Sequence, residues 1–187
     1  GMNFKVRPGE SIALVGPTGA GKTTVINLIS RFYDIASGQV LIDGHEVSKV
    51  TLHSLRSQMG IMMQDSFIFS GDIRENIRYG KLDASQQEIE QAAKTVRADE
   101  FIRSMEKGYD TPCTPELFSQ GQWQLLSIVR AAAAEPKLLL FDEITANLDA
   151  ETEKAVLTAL RRVARDRTVI SISHRTSAEL GRVIEME

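Results

Sequence analysis

Gly16-Pro17-Thr18-Gly19-Ala20-Gly21-Lys22-Thr23 follows directly on the apolar run Ser11-Ile12-Ala13-Leu14-Val15. It precedes Val25, Leu28, Ile29 and Phe32, whose spacing lines one face of a helix that the pattern ends near Ser37-Gly38. A buried strand, a glycine-rich turn and a helix are the context in which G-x-x-x-x-G-K-[ST] has a mechanism. The glycines let successive backbone N–H groups curl toward phosphate oxygens, and the helix N-terminus adds partial positive charge. Gly16, Pro17, Thr18, Gly19, Ala20, Gly21, Lys22, Thr23 and Thr24 are therefore the expected nucleotide-phosphate residues. In this reading Lys22 reaches the β- and γ-phosphates, Thr23 places its hydroxyl on Mg²⁺, and Thr24 adds an α-phosphate contact.

Leu138-Leu139-Leu140-Phe141-Asp142-Glu143 supplies a second half: a buried strand delivering two carboxylates at its C-terminal end, where open α/β sheets bind ligands. Asp142 suits the metal and Glu143 the water that attacks the γ-phosphate. An isolated Asp-Glu at a strand end is an ordinary turn; the presence of Gly21-Lys22-Thr23 turns it into a catalytic candidate.

Outward from these motifs, Gln39 to Asp43, Gly60 to Met63 and Thr168 to Ser173 read as further strands. Ser85-Gln86-Gln87-Glu88 is a capping box that starts a helix near residue 86. A second helix is expected from about Gln120 to Ala134, stopped by Pro136, and a third carries Ala155, Val156, Ala159, Leu160 and Val163. Alternating strands and helices predict an α/β fold with a mostly parallel sheet flanked by helices, and the Gly16–Thr23 motif makes it one of the P-loop NTPase type. The strand-poor stretch 72–135 is expected to be an inserted helical subdomain, with 1–71 and 136–187 forming the nucleotide-binding core of a single domain spanning 1–187.

The composition agrees with one globular domain: 187 residues, 42% hydrophobic and 25% charged, with a formal charge of -3. That balance provides no basic field, so no nucleic acid is expected as a partner. The longest apolar stretches fall far short of the roughly 18 residues of a membrane span. Cys113 is the single cysteine, which excludes an internal disulfide and fits a reducing compartment. The first residues lack the apolar core of a signal peptide, and Gly1 before Met2 reads as an expression scar.

Taken together the motifs resemble the nucleotide-binding domain of an ATP-binding cassette (ABC) transporter, from about Asn3 to His174. Phe118-Ser119-Gln120-Gly121-Gln122 resembles the family signature, usually Leu-Ser-Gly-Gly-Gln, with Ser119, Gly121 and Gln122 matching and Phe118 and Gln120 departing. Read alone, this segment is a helix cap. The resemblance implies instead that it contacts the γ-phosphate of ATP held by an opposing domain, so that two domains enclose two ATP molecules. It further implies that Gln64 contacts Mg²⁺ and the attacking water, that Asp149 couples the two sites, and that His174 touches the γ-phosphate and positions Glu143. Catalysis would then fall to Glu143, His174, Gln64 and Lys22, and metal binding to Thr23, Gln64 and Asp142. The segment from Gln64 to Ile77 resembles the exporter branch, whose nucleotide-binding domain works with a transmembrane domain at the cytoplasmic face of the membrane.

The implied activity is hydrolysis of ATP to ADP and phosphate, coupled to export. Two alternatives keep the motifs but change what they accomplish. One is a nucleotide-binding regulatory module with little hydrolysis, and the other is a soluble ABC ATPase not linked to transport. Pro112-Cys113-Thr114-Pro115-Glu116-Leu117 departs from the Gly-Glu-rich segment expected before the signature, and Trp123 stands where the family often has Arg. Only 15 residues precede Gly16, so the family's adenine-stacking aromatic, roughly two dozen residues upstream, is expected to be missing; Phe4 is too close to serve. Loss of such a stack weakens nucleotide affinity up to about tenfold. Glu179 to Glu187 is expected to compress the family's last two strands into one, as in a trimmed or shortened protein.

Overall fold

Ser11–Val15 forms strand β1, buried on both faces after its first residue, as the uninterrupted apolar run requires. The computed structural model describes residues 1–63, 67–173 and 181–187, and these divide into two units. The first comprises Gly1–Ile61, Pro136–Glu143 and Asp166–Glu187. It holds β1, helix α1 (Lys22–Ile29), β2 (Leu41–Ile42), β3 (His45–Glu46), α2 (Leu52–Arg56), β4 (Met59–Met62, to its last residue but one), β5 (Leu138–Asp142), β6 (Thr168–Ile172) and β7 (Arg182–Glu185). The sheet order is β4-β5-β6-β1-β7. β1 runs parallel to both β6 and β7, and β5 runs parallel to β6, with Leu14 opposite Ile172 and Phe141 opposite Ser171. Ile12, Leu14, Ile26, Leu140, Ile170 and Ile172 are buried together in its core. The α/β fold with a mostly parallel sheet follows the sequence pattern.

Two local features depart from it. Helix α1 stops at Ile29 instead of continuing toward Ser37-Gly38. Arg31 takes a left-handed conformation (φ 56°), its N–H reaches Leu28 O and the N–H of Phe32 reaches Asn27 O, a Schellman ending built without glycine. Phe32 therefore leaves the helix face and lies half exposed, with the Arg56 guanidinium 4.6 Å from its ring centre. The second departure is the antiparallel pair β2–β3, where a single strand is expected. Asp43 and Gly44 (φ 50° and 79°) both adopt the left-handed conformation that a two-residue hairpin turn needs.

The second unit comprises Met62–Glu135 and Ile144–Arg165 and carries α3 (Ile73–Arg78), α4 (Gln86–Thr95), α5 (Asp99–Ser104), α6 (Gln120–Ala133) and α7 (Ala150–Ala164). Asp72 and Ser85 cap α3 and α4 in full capping boxes, with Glu75 and Glu88 closing each. Helix α6 packs against α3, α4 and α7. Its apolar stripe, including Leu126 and Val129, is buried, as are Ile73, Ile77, Ile89, Val156 and Leu160 on its neighbours. Among the described residues no helix is long and apolar enough to cross a membrane.

Candidate functional site

In the first unit, the chain leaves β1 at Gly16 and turns into α1 through a loop closed by the Ala20 N–H on Pro17 O, 3.2 Å. Gly19 and Gly21 sit at φ 86° and 87°, a region that costs an L-residue roughly 1–2 kcal/mol and glycine nothing. Gly21 is also the N-cap of α1 and brings no side chain to it. The first amides of α1 thus have no side-chain cap, unlike those of α2, α3, α4, α6 and α7. A side-chain-free helix start with curled loop amides is suited to an anion carrying several oxygens.

Lys22 is buried, with 5% of its surface exposed, and its ammonium donates to Gly16 O at 2.7 Å and Pro17 O at 2.9 Å. The loop thus holds a cation on two neutral carbonyls. Thr23 and Thr24 follow on the exposed side. The Thr23 hydroxyl donates to Asp142 Oδ2 at 3.0 Å, and Asp142, the last residue of β5, is itself 6% exposed. Glu143 then adopts φ 49°, which breaks the alternation of the strand while its N–H still reaches Ile172 O at 3.3 Å. Two successive carboxylates are thereby separated: one continues the strand beside Thr23, the other starts a left-handed turn. A non-glycine residue held in this region at a strand end is the kind of strain that gathers at functional sites. Gln64 and His174 lie outside the described residues.

In the second unit, Ser119 is the N-cap of α6: its Oγ accepts the Gln122 N–H at 3.2 Å, and its own N–H reaches Gln122 Oε1 at 2.9 Å. Ser119 and Gln120 are exposed, while Gly121 is buried. Phe118 and Trp123, the residues flanking this box, meet with ring centres 4.6 Å apart, and Phe118 also meets Phe101 edge-on at 5.9 Å. Positions N′ and N4 of the helix are thus joined in a hydrophobic staple, so the departures at 118 and 123 are one packing feature. Asp149 caps α7: Oδ1 accepts the Glu151 and Thr152 N–H groups at 3.1 and 3.0 Å, and Oδ2 accepts the Thr152 hydroxyl at 2.6 Å. Those bonds, the Thr152 hydroxyl first, hold its carboxyl below the usual aspartate range.

Sequence reasoning missed one group. Arg130, in the last turn of α6, is half buried; its Nε donates to Asn76 O (2.8 Å), Nη1 to Phe67 O (2.9 Å) and Nη2 to Asn76 Oδ1 (3.2 Å), and its guanidinium lies 5.0 Å from the Phe69 ring centre. Asn76, 1% exposed, answers from its amide with bonds to Phe69 O and Asp72 O and accepts the Phe69 N–H. Together they hold Phe69 stacked on Tyr79, with Phe67 exposed beside it. The signal available was an arginine next to the Ala131–Ala134 run, on a helix with an apolar stripe.

The ABC transporter family matches the chain over residues 1–146. The ABC transporter ATP-binding protein YfiC of Bacillus subtilis is 54% identical over 176 residues, 93% of this chain and 29% of that protein. The fatty acid ABC transporter ATP-binding/permease protein of Mycobacterium bovis is 43% identical over 178 residues, 94% of this chain and 28% of its own length. Among solved structures, a bacterial Atm1-family ABC exporter with ATP bound superposes with a TM-score of 0.90 at 41% identity, over 100% of this chain and 33% of the exporter chain. The chain thus spans about a third of the length of these relatives.

Proposed function

The chain belongs to the ABC transporter family, and on that premise we propose that it binds and hydrolyses ATP with Mg²⁺ as one of two nucleotide-binding domains closing around two ATP molecules. Closure drives export through a transmembrane domain at the cytoplasmic face of the membrane. The observation that carries the reading is the grouping of Lys22, Thr23 and Asp142 at the loop after β1, with Thr23 bonded to Asp142 at 3.0 Å. The exporter assignment is supported by the Atm1-family exporter and the fatty acid ATP-binding/permease protein among its relatives.

The phosphates sit on the loop amides from Gly16 to Thr24, and Lys22 exchanges part of its bonding to Gly16 O and Pro17 O for phosphate oxygens. The donor set fits magnesium: a hydroxyl and a carboxylate, hard oxygens already adjacent, of the kind that ion takes beside phosphate and water. Thr23 and Asp142 would hold it, joined by Gln64, and the chemistry it would supply there is neutralisation of charge on the phosphate oxygens. Glu143 accepts a hydrogen bond from the attacking water and orients it in line, and His174 braces the same water against the γ-phosphate. Ser119 and Gly121 of the partner subunit supply the remaining donors to the γ-phosphoryl group, and Asp149 links one site to the other.

Glu143→Gln tests this directly. Turnover is expected to fall by about 10²–10⁴-fold, nucleotide binding is expected to persist, and light scattering after size exclusion should show a dimer only with ATP and Mg²⁺. A variant that stays monomeric in saturating ATP refutes the two-domain enclosure. One that hydrolyses ATP at the normal rate refutes the role of Glu143.

A further inference from the structure

Within the second unit, one side chain touches two of the features that the proposed function turns toward a partner domain. Thr152 lies in the first turn of α7. Its hydroxyl donates to Asp149 Oδ2 at 2.6 Å, and its methyl faces Gly121 in the first turn of α6. A Cβ placed on Gly121 would run into that methyl, with Thr152 Cβ itself only 3.4 Å away. Gly121 does not take a positive φ, so backbone freedom does not account for glycine at this place. Close approach does: glycine inside a helix costs about 1 kcal/mol against alanine, and here α7 uses the space.

Threonine suits both contacts because its two branches are fixed together. A β-branched side chain has few χ1 choices, and the bond to Asp149 selects one. The methyl then cannot swing away from Gly121 without breaking that bond. Serine would keep the bond and remove the methyl; valine would keep the methyl and remove the bond.

We infer that Thr152 is a positioning residue: through its hydroxyl and its methyl it sets the spacing and angle between the Asp149 carboxylate and the Ser119–Gly121 start of α6, so that the two meet a partner domain in one register. The inference rests on the proposed reading that both segments face a partner's ATP. It assigns Thr152 no contact with nucleotide.

The test is a paired substitution on the chain, read by steady-state ATP turnover, by ATP-dependent dimer formation in the Glu143→Gln background, and by thermal unfolding. Gly121→Ala alone should lower turnover by at least about tenfold through overpacking against the Thr152 methyl. KM for ATP, set mainly by the loop around Lys22, should change little. Gly121 has only its backbone N–H to offer a phosphate, and alanine keeps it. Combining Gly121→Ala with Thr152→Ser therefore removes the clash and should restore turnover and dimer formation to within about threefold of Thr152→Ser alone, a non-additive effect expected only of residues in contact. Thr152→Val, which keeps the methyl against Gly121 and loses the bond to Asp149, should lower kcat while the melting temperature falls by no more than about 4 °C.

Three results overturn the inference: equal damage from Gly121→Ala with either residue at 152, melting temperature restored but turnover not, or Thr152→Val turning over like the parent chain. A Glu143→Gln chain that forms no ATP-dependent dimer with Gly121 and Thr152 intact overturns the proposed function instead, and this inference with it.

Discussion

The Thr23 hydroxyl donates to Asp142 Oδ2 at 3.0 Å, joining residues 119 positions apart in the chain. This bond binds the end of β5 to the start of α1 and holds two oxygen donors side by side. Thr23→Val should abolish the gain in ATP affinity on adding Mg²⁺, a loss of about 10- to 100-fold, whereas Thr23→Ser should keep it. Titration of a fluorescent ATP analogue with and without Mg²⁺ reads the difference. Asp142→Asn should show the same loss with no fall in urea resistance, because an amide costs less to bury than a carboxylate and its oxygen still accepts the Thr23 hydroxyl. A fall in stability equal to the functional loss would make Asp142 structural.

Arg130 gives a different expectation, since two of its three bonds go to part-buried acceptors of Asn76. Arg130→Ala should destabilise the chain by about 1–3 kcal/mol in urea unfolding, through the unpaired acceptor at part-buried Asn76 and the lost packing on Phe69. Arg130→Lys should recover only part, since one ammonium cannot reproduce the forked donors. Full stability in Arg130→Ala would show that the network contributes nothing.

Trp123 is the only tryptophan, so the staple at the start of α6 reports on itself. Phe118→Ala should lower stability by about 3 kcal/mol and shift Trp123 emission to longer wavelength, as the indole loses the ring 4.6 Å away. Phe118→Leu should stay close to the parent chain. Unchanged emission in Phe118→Ala would place the indole against other groups.

Burial pushes the Cys113 thiol up to about 11 from its ordinary 9.0, with the nearby Asp72 carboxylate acting in the same direction. The sign is clear: less thiolate at neutral pH in the folded chain. At pH 8, alkylation of Cys113 should run about a hundredfold slower than in urea-unfolded chain, following the thiolate fraction, and the folded rate should keep rising with pH to about 11. Equal rates in the two states would contradict the burial argument.

Much of the fold is legible without coordinates. β1 and the start of α4 stand where the apolar run and the Ser85–Glu88 box put them, and β5 lies within a residue of its apolar run. Those signals are local: period, cap and turn chemistry act within a few residues. The end of α1 was not legible, because Arg31 closes it in the left-handed conformation that sequence patterns assign to glycine. The same device ends α4, where Arg97 takes φ 60° and the Ala98 N–H reaches Ala93 O. The Asp43-Gly44 hairpin, by contrast, carries a local turn signal that the expectation of a single strand passed over.

By itself the sequence determined the phosphate loop, the strand that presents Asp142 and Glu143, and the helix that Ser119 starts, since each depends on neighbours along the chain. Tertiary structure alone decided which groups meet: Thr23 with Asp142, Thr152 with Gly121, Arg130 with Asn76, and Phe118 with Phe101. Such pairs are set by the register of parallel strands and the packing of helices, where a shift of one residue turns every side chain to another face. No local pattern encodes a distance between segments tens of residues apart.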